Sequence, residues 1–428
     1  MYICVMGAGV IGVTSAYALL ESGHQVTLLD AMAAPGAGAS FGNGAQLSYS
    51  YVAPLADPSV WTQWPHYLLS RDSPLTLKLQ ADHAQWRWLL AFLAASTAQR
   101  VRKTTIELLR LAYLSRDELH RVQQVVPIDF HHRVAGKLAM YGSAQALRGA
   151  AEQVAFQRQH GSAQEIFDMT RCLEIEPALQ AAAHRWVGGV YTPSEEVGDC
   201  ALFCRGMVEV MTKRANFRFL PSTSIVSLEI RNRKVTLVRS SSGPIEADAY
   251  VLAMGAESAG FARKAGFYLP VYPLKGYSIT VPLADDGNVG NSSAPQVSIT
   301  DLSRKIVYAR LGARLRVAGR VELVGLNRDI PDRAFDELCE AVEQTFPGSM
   351  KARQCAKERE ALSAWTGWRP ATPSGVPIID LSPIGNLYLN VGHGALGWTL
   401  ACGSAVLLAH RVTGQRAPID DTSFRFRT

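Results

Sequence analysis

The sequence predicts an α/β protein: a parallel sheet built from the first and last parts of the chain, interleaved with an α+β domain that carries an antiparallel sheet. Three observations predict it. The chain opens on strand, glycine turn, helix and strand; a β-rich run fills Leu269 to Gly325; and a glycine-dense segment before an apolar helix closes the last third.

The opening element is Tyr2-Ile-Cys-Val-Met, followed by Gly7-Ala8-Gly9-Val10-Ile11-Gly12, a helical stretch ending at Gly23, and Gln25-Val-Thr-Leu-Leu-Asp30. Gly7 permits a tight turn, Gly9 lets backbone approach a pyrophosphate, and Gly12 lets the helix pack on the strand. The helix N-terminus presents free N–H groups to phosphates. Asp30, about 20 residues on, is placed to accept hydrogen bonds from a ribose. The unit therefore predicts a dinucleotide site and leaves open which dinucleotide.

At 428 residues the chain has length for about two domains with ample core. Apolar residues make up 48% and charged residues 19%, which excludes a disordered or collagenous chain. A net charge of +6 is too diffuse to argue for nucleic acid; it suits anionic small molecules or a weak pull toward anionic lipid. Seven cysteines without a CxxC pair read as reduced, packed thiols of a cytoplasmic protein. The first strand begins at Tyr2, so no secretory signal is expected ahead of it. Trp86 to Ala95, the most apolar window, spans about half the length a bilayer requires.

After Asp30, the glycine-dense loop through Ser40, Asn43, Gly44, Gln46, Leu47 and Ser48 has no helical or strand period. Its position next to the ribose strand predicts close backbone approach to a ligand. Trp61 to Val126 reads as helical, Val134 to Tyr141 as a strand, Ala144 to His160 as a helix and Leu173 to Leu179 as a short helix. Gly188 to Pro193 is a strand and Asp199 to Ala215 a helix. Strands follow at 217–220, 224–229 and 234–238. Ala249 to Gly255 ends a buried strand on a glycine turn, marking Gly255 as a phosphate neighbour. Beyond the β-rich run come a helix from Arg333 to Phe346 and a final helix from Thr399 to Thr413.

Motifs along the whole chain resemble the flavin-dependent D-amino acid dehydrogenase small subunit, within the D-amino acid oxidase, glycine oxidase and sarcosine oxidase group. They are the Gly7–Gly12 turn, Asn43-Gly44, Ala53-Pro-Leu-Ala-Asp-Pro, Glu196-Val-Gly-Asp-Cys, Val271-Tyr-Pro-Leu-Lys-Gly-Tyr-Ser, Gly367-Trp-Arg-Pro-Ala-Thr-Pro and Gly392-His-Gly-Ala-Leu-Gly-Trp-Thr. The resemblance implies FAD, in a Rossmann-like FAD-binding domain (1–58, 192–268 and 361–428) interleaved with a substrate domain (59–191 and 269–360) whose antiparallel sheet covers the flavin. Asp30 stands where many relatives carry Glu. Ser374 and Asp380 stand where Asp and Gly are commoner.

The implied reaction is oxidative deamination of a D-amino acid to a 2-oxo acid, by hydride transfer from Cα to flavin N5. Electrons then pass to a respiratory quinone or another acceptor. Glycine, sarcosine or D-hydroxyproline oxidation on the same architecture is the near alternative; an NAD-dependent dehydrogenase and a non-catalytic FAD-binding subunit are the distant ones. Arg369 is the substrate candidate, because a planar guanidinium clamps an α-carboxylate bidentately, and the arginine of this motif does so in the resembling enzymes. Tyr277 and Tyr308 are candidates for the same carboxylate, and His393 for the flavin pocket or a proton shuttle. Gly394, Ala395, Leu396, Gly397, Trp398 and Thr399 lead into the final helix, whose positive N-terminus would favour negative charge on the flavin. By the same resemblance Asn43, Gly44, Gln46 and Leu47 line the flavin ring, and Ile225 meets adenine through its backbone. No cysteine lies within 365–380, so FAD is expected to be held non-covalently. The tryptophans between Trp61 and Trp88, with the basic helix carrying Arg100, Arg102, Lys103, Arg110, Arg116 and Arg121, allow peripheral contact with a membrane.

Overall fold

The computed structural model describes residues 1–52, 54–58, 75–284, 293–350 and 363–427. The buried β-branched and aliphatic runs of the chain assemble into two principal sheets. The first orders its strands 217–220, 25–29, 2–6, 249–252, 387–391 and 378–381; all but the last are parallel, and 378–381 closes the edge antiparallel. Strand order reverses beside Tyr2–Met6, which is where an open parallel sheet leaves its ligand crevice. Because these strands are parallel, Gly7, Asp30, the turn at Gly255 and the segment from Gly392 all leave the same edge.

The second sheet has nine strands among the described residues. Its path runs 365–371, 272–282, 314–323, 306–311, 298–301, 137–141, 188–192 and 165–168, with 75–77 added against 314–323. Its antiparallel core is the β-rich run read from sequence. Trp365–Ala371 is the edge strand of this sheet, although the expected division groups 361–428 with the nucleotide domain. Its hydrogen bonds with Tyr272–Pro282 hold it there; the chain crosses back only at Ile378–Leu381.

The long helical reading from Trp61 divides. Residues 59–74 lie outside the described residues, Leu75–Leu77 is a strand, and the helices are His83–Ala95 and Ala98–Val125. Asp82 caps the first by accepting from the Ala84 N–H at 2.9 Å. Leu173–Leu179 likewise splits into Met169–Ile175 and a 3₁₀ helix Pro177–Arg185, since Pro177 cannot continue the preceding turn.

The last helix, Gly397–Thr413, packs on Val10–Glu21 and Ala98–Val125 and buries Leu400, Ala401, Leu407 and Leu408. Each fully buried leucine contributes about 1.5–3 kcal/mol. Gly403 sets the approach: a Cβ there would meet the Leu111 carbonyl oxygen at 2.8 Å and the Ser115 nitrogen at 2.9 Å, so Gly403→Ala would push two backbones apart. With the preceding turn this helix is long and apolar enough to cross a membrane by composition, yet most of it is buried inside the protein as a core helix.

Candidate active site

The glycine turn folds as its residue types require. Gly7 has φ +104°, and a Cβ on it would sit 2.5 Å from the Ala253 carbonyl oxygen; a Cβ on Gly12 would collide with the Gly7 carbonyl oxygen. The helix Val10–Glu21 starts from Gly9 with no cap from Gly9 itself, and Ser40 Oγ accepts from the Val10 N–H at 3.0 Å. Asp30 braces this turn. Its Oδ2 accepts from the Ala8 N–H at 2.6 Å and its Oδ1 from the Met32 N–H at 2.8 Å, which leaves lone pairs for a ribose.

The carboxy-terminal segment lies against it. Thr14 Oγ1 donates to the Ala401 carbonyl at 3.1 Å, so the starts of the first and last helices run side by side. The helix Gly397–Thr413 begins at Leu396 without a side-chain cap, and its first N–H groups look out from the carboxyl edge of the parallel sheet. Gly255 and Gly394, both at φ +56°, end the strands before that opening. Ile225 lies just past Thr223, whose N–H donates to the Asp30 carbonyl at 2.7 Å; its side chain packs at the rim of the sheet's second core.

The loop carrying Ser40 to Ser48 is clamped between the two domains. Arg316 Nη1 donates to the Phe41 and Asn43 carbonyls at 2.9 and 2.8 Å, and Arg316 Nε to Thr280 Oγ1 at 2.7 Å. Asn43 Oδ1 accepts from the Ala45 N–H, closing a tight turn in which Ala45 takes φ +56°. A Cβ on Gly44 would press on Val307 at 2.9 Å. Gln46 spends its amide on the Ile299 carbonyl and on Thr300, and Leu47 is wholly buried in the core. These two therefore have backbone rather than side chain left to offer a ligand. Ser48 is held twice, its N–H by Thr399 Oγ1 at 3.1 Å and its Oγ by Lys137 Nζ at 2.9 Å. Trp398 turns inward, donating to the Gly198 carbonyl and packing on Phe203.

The nine-stranded sheet supplies the opposing wall. Side chains alternate between its faces. Arg316, Val307, Thr300 and Lys137 all reach residues of the Phe41–Ser48 loop, so that face looks at the nucleotide domain. Arg369, paired with Leu274, lies on the same face, with its guanidinium over Gly276; a Cβ there would meet Nη1 at 2.3 Å. Arg369 donates to the Arg320 carbonyl at 3.2 Å and has no carboxylate partner among the described residues. Burial alone pushes its pKa down to about 10, while the residue keeps partial access to solvent. A guanidinium so placed costs free energy until an anion reaches it. Ser278, two residues beyond Gly276 on that face, has a buried hydroxyl with no hydrogen-bond partner among the described residues. Trp365 lays its indole on Gly42 and closes the edge.

Three expected site residues stand elsewhere. Tyr277 alternates to the far face, under the helix Asp332–Thr345, and donates to Glu322 Oε2 at 2.6 Å; burial and that carboxylate push its pKa up. Tyr308 is fully buried on the same far face, against Phe346 and the Ala341 carbonyl. Neither meets Arg369. His393 is buried with Nε2 against Ser404 Oγ at 2.9 Å, and burial pushes its pKa down to about 3. It takes up no proton near neutral pH and serves as a tie between the Gly392–Gly394 turn and the last helix. Ser374 and Asp380 are also structural: Ser374 Oγ accepts from the Val376 N–H, and Asp380 pairs with Arg411 and the Phe426 N–H.

Comparison with known proteins matches residues 3–411 to the family model described as FAD dependent oxidoreductase. The chain belongs to this family. It is 44% identical over 419 residues to D-amino acid dehydrogenase 2 of Ralstonia nicotianae, covering 98% of this chain and 97% of that one. It is 37% identical to the D-amino acid dehydrogenase of Azorhizobium caulinodans, with the same coverage. Among solved structures, glycine oxidase from Geobacillus kaustophilus superposes with a TM-score of 0.74 at 18% identity, over 99% of this chain and 98% of that one.

The FAD of this family fits the residues present. Two helix starts point at one crevice, the second of them without a side-chain cap, glycines occupy the turns where a Cβ would intrude, and the acid beside the first turn retains free lone pairs. Arg316 and Lys137, which fix the loop 40–48, carry no motif in the sequence. Only their place on one strand face reveals them, and that requires the register of the sheet.

Proposed function

We propose that the chain oxidatively deaminates D-amino acids to 2-oxo acids with non-covalently held FAD, passing the electrons to a quinone-type acceptor. The observation that carries this reading is the Arg369 guanidinium, without a carboxylate partner among the described residues, on the sheet face that looks at the loop 40–48, the FAD loop. Bound FAD supplies the two-electron acceptor that an amine Cα–H requires. The protein's own part is placement. Arg369 takes the α-carboxylate in a planar, two-point contact and so fixes the direction of the Cα–H. Gly276 leaves the guanidinium its place, and the Ser278 hydroxyl is free to accept or donate beside it. The start of the helix Gly397–Thr413 favours negative charge brought to it, and Thr399 keeps Ser48 and its loop in position. The relatives named D-amino acid dehydrogenase, matched over nearly the full chain, support the substrate class.

A cytoplasmic enzyme resting on the inner face of a membrane suits a quinone acceptor. Trp86 and Leu90 stand exposed on one helix, and Arg100, Arg102 and Lys103 at the start of the next. Arg110, Arg116 and Arg121 pair with Glu107, Asp117 and Glu118 along their own helix and contribute little net charge.

The test is anaerobic mixing of the yellow holoprotein with single enantiomers. D-amino acids should bleach the flavin and their L-enantiomers should not, and a soluble quinone should restore the colour faster than air. Bleaching by glycine or sarcosine but by no D-amino acid would replace this substrate class with the neighbouring one.

A further inference from the structure

Behind the FAD loop, away from the Arg369 face, three ligand-type side chains converge. His120 Nε2 lies 2.5 Å from Glu196 Oε1 and His132 Nε2 lies 2.9 Å from Glu196 Oε2. His120 projects from the long helix Ala98–Val125, His132 from the segment before the strand Arg133–Val134, and Glu196 from the strand Glu196–Val197. One ligand atom from each residue, two imidazole nitrogens and a carboxylate oxygen, all fall within 4.8 Å of one another. Glu196 is buried, the His132 side chain is 18% exposed and the His120 side chain 42%, so the cluster opens to solvent at one corner.

We propose that His120, His132 and Glu196 form a site for a zinc-class divalent transition-metal cation, and that the bound ion braces the FAD loop. The donor set is two imidazoles and one carboxylate. It suits Zn²⁺ and its first-row neighbours and disfavours Mg²⁺ and Ca²⁺, which seek oxygen ligands. Tetrahedral zinc with bonds of about 2.0–2.2 Å places its ligand atoms about 3.3 Å apart. The cluster reaches that spacing by a small inward swing of His120, the most exposed of the three. The open corner leaves the fourth position to water, as in zinc sites with three protein ligands. Phe130 packs tilted beside His132, 5.3 Å between ring centroids, and limits its rotation.

The brace follows from what Glu196 touches. Its strand pairs with Gln46–Leu47 on one side and Arg133–Val134 on the other. Tyr49 Oη donates to Glu196 Oε2 at 3.0 Å, which places both sides of Ser48 under the influence of this one carboxylate. An ion joining Glu196 to the long helix and to the His132 segment ties the FAD loop to two elements of the core. Binding to the folded state alone raises stability by mass action.

The experiment uses the holoprotein freed of metal by chelator and then dialysed against Zn²⁺. One zinc per chain is expected. His120→Ala and His132→Ala should each weaken binding at least about tenfold, since even the loss of an outer-shell partner costs 10–100-fold. Zinc should raise the Tm of the parent holoprotein and slow FAD release, read from the fluorescence of freed flavin. Neither change should occur in His120→Ala, whose exposed side chain can be removed without opening the core. No stoichiometric zinc, or zinc that binds His120→Ala and the parent equally, overturns the site. Zinc that binds through both histidines and leaves FAD release unchanged overturns the brace.

Discussion

The two faces of the nine-stranded sheet are made by the same strands, yet they do different work. On one, Arg369, Gly276, Ser278 and Arg316 look at the nucleotide domain. On the other, Tyr277, Tyr308, Ile279 and Val317 pack under the helix Asp332–Thr345. One residue of register separates Gly276 from Tyr277, and with it a site from a core. The more conspicuous member of the Lys-Gly-Tyr-Ser motif is the tyrosine, but the glycine is the one that leaves room for the Arg369 guanidinium. A motif that stands out in a strand therefore needs its face assigned before its chemistry.

The sharpest way to break this comparison is Arg369→Leu. With the charge removed, kcat/KM for a D-amino acid should fall about 10³-fold, the range expected when one partner of a buried charge pair is lost. The bound flavin should stay yellow, because the hydrogen bond Arg369 makes goes to the Arg320 carbonyl and not to the FAD loop. Steady-state kinetics on the holoprotein checks this, and unchanged kinetics would remove Arg369 from the site. Gly276→Ala comes next. A Cβ at Gly276 would sit 2.3 Å from Arg369 Nη1, the far end of a flexible side chain, so the fold adapts and the guanidinium moves. Displacement of about 1 Å at a positioning group costs about 10²-fold. The fall should appear in kcat/KM with Tm nearly unchanged.

These predictions rest on parts of the chain that were not equally legible. The dinucleotide unit could be read because its glycines answer local demands: Gly7 and Gly12 admit no Cβ, and their partners lie within the same strand–helix unit or on the neighbouring strand. Arg369 was singled out by its residue type, between Trp368 and Pro370, and by a resemblance that ties it to a carboxylate; the structure sets its guanidinium over Gly276. Tyr277, Tyr308 and His393 misled because face and depth are set by distant partners: Glu322, Ala341 and Ser404. Arg316 stayed hidden, since its acceptors lie some 270 positions away on a loop whose path the sequence does not fix. Trp365–Ala371 was grouped with the FAD-binding domain rather than seen as an edge strand of the other sheet, because Gly367 and Pro370 mask the alternation that marks a strand.

Arg316→Met separates two jobs within the single functional face. Arg316 holds the Phe41 and Asn43 carbonyls, so its loss should weaken FAD retention about tenfold, in line with roughly 1.5–3 kcal/mol for a hydrogen bond to a charged group. Once the protein is saturated with FAD, KM for the amino acid should be close to that of the parent. Equilibrium binding of FAD to the apoprotein measures the first effect and saturation kinetics the second. If KM rose as in Arg369→Leu while FAD affinity held, the two arginines would share one task.

The smallest effects belong to the far face, and there the comparison is tested by what fails to change. Tyr277→Phe removes the donor to Glu322, whose Oε1 lies 3.6 Å from Arg320. Tyr308→Phe removes two contacts of 3.3 Å, to the Ala341 carbonyl and Thr345 Oγ1. Tyr277 bonds a carboxylate and Tyr308 only neutral groups, so stability should fall by about 1.5–3 kcal/mol in the first variant and about 0.5–1.5 in the second. Both should leave kcat/KM within about twofold, because each ring stays in its apolar packing and neither hydroxyl reaches the Arg369 face. Denaturant unfolding gives the stability terms and the D-amino acid assay the kinetic ones. A tenfold rise in KM for Tyr277→Phe at unchanged stability would put that hydroxyl on the substrate, and the separation of the two faces would fail at the residue where the motif is strongest.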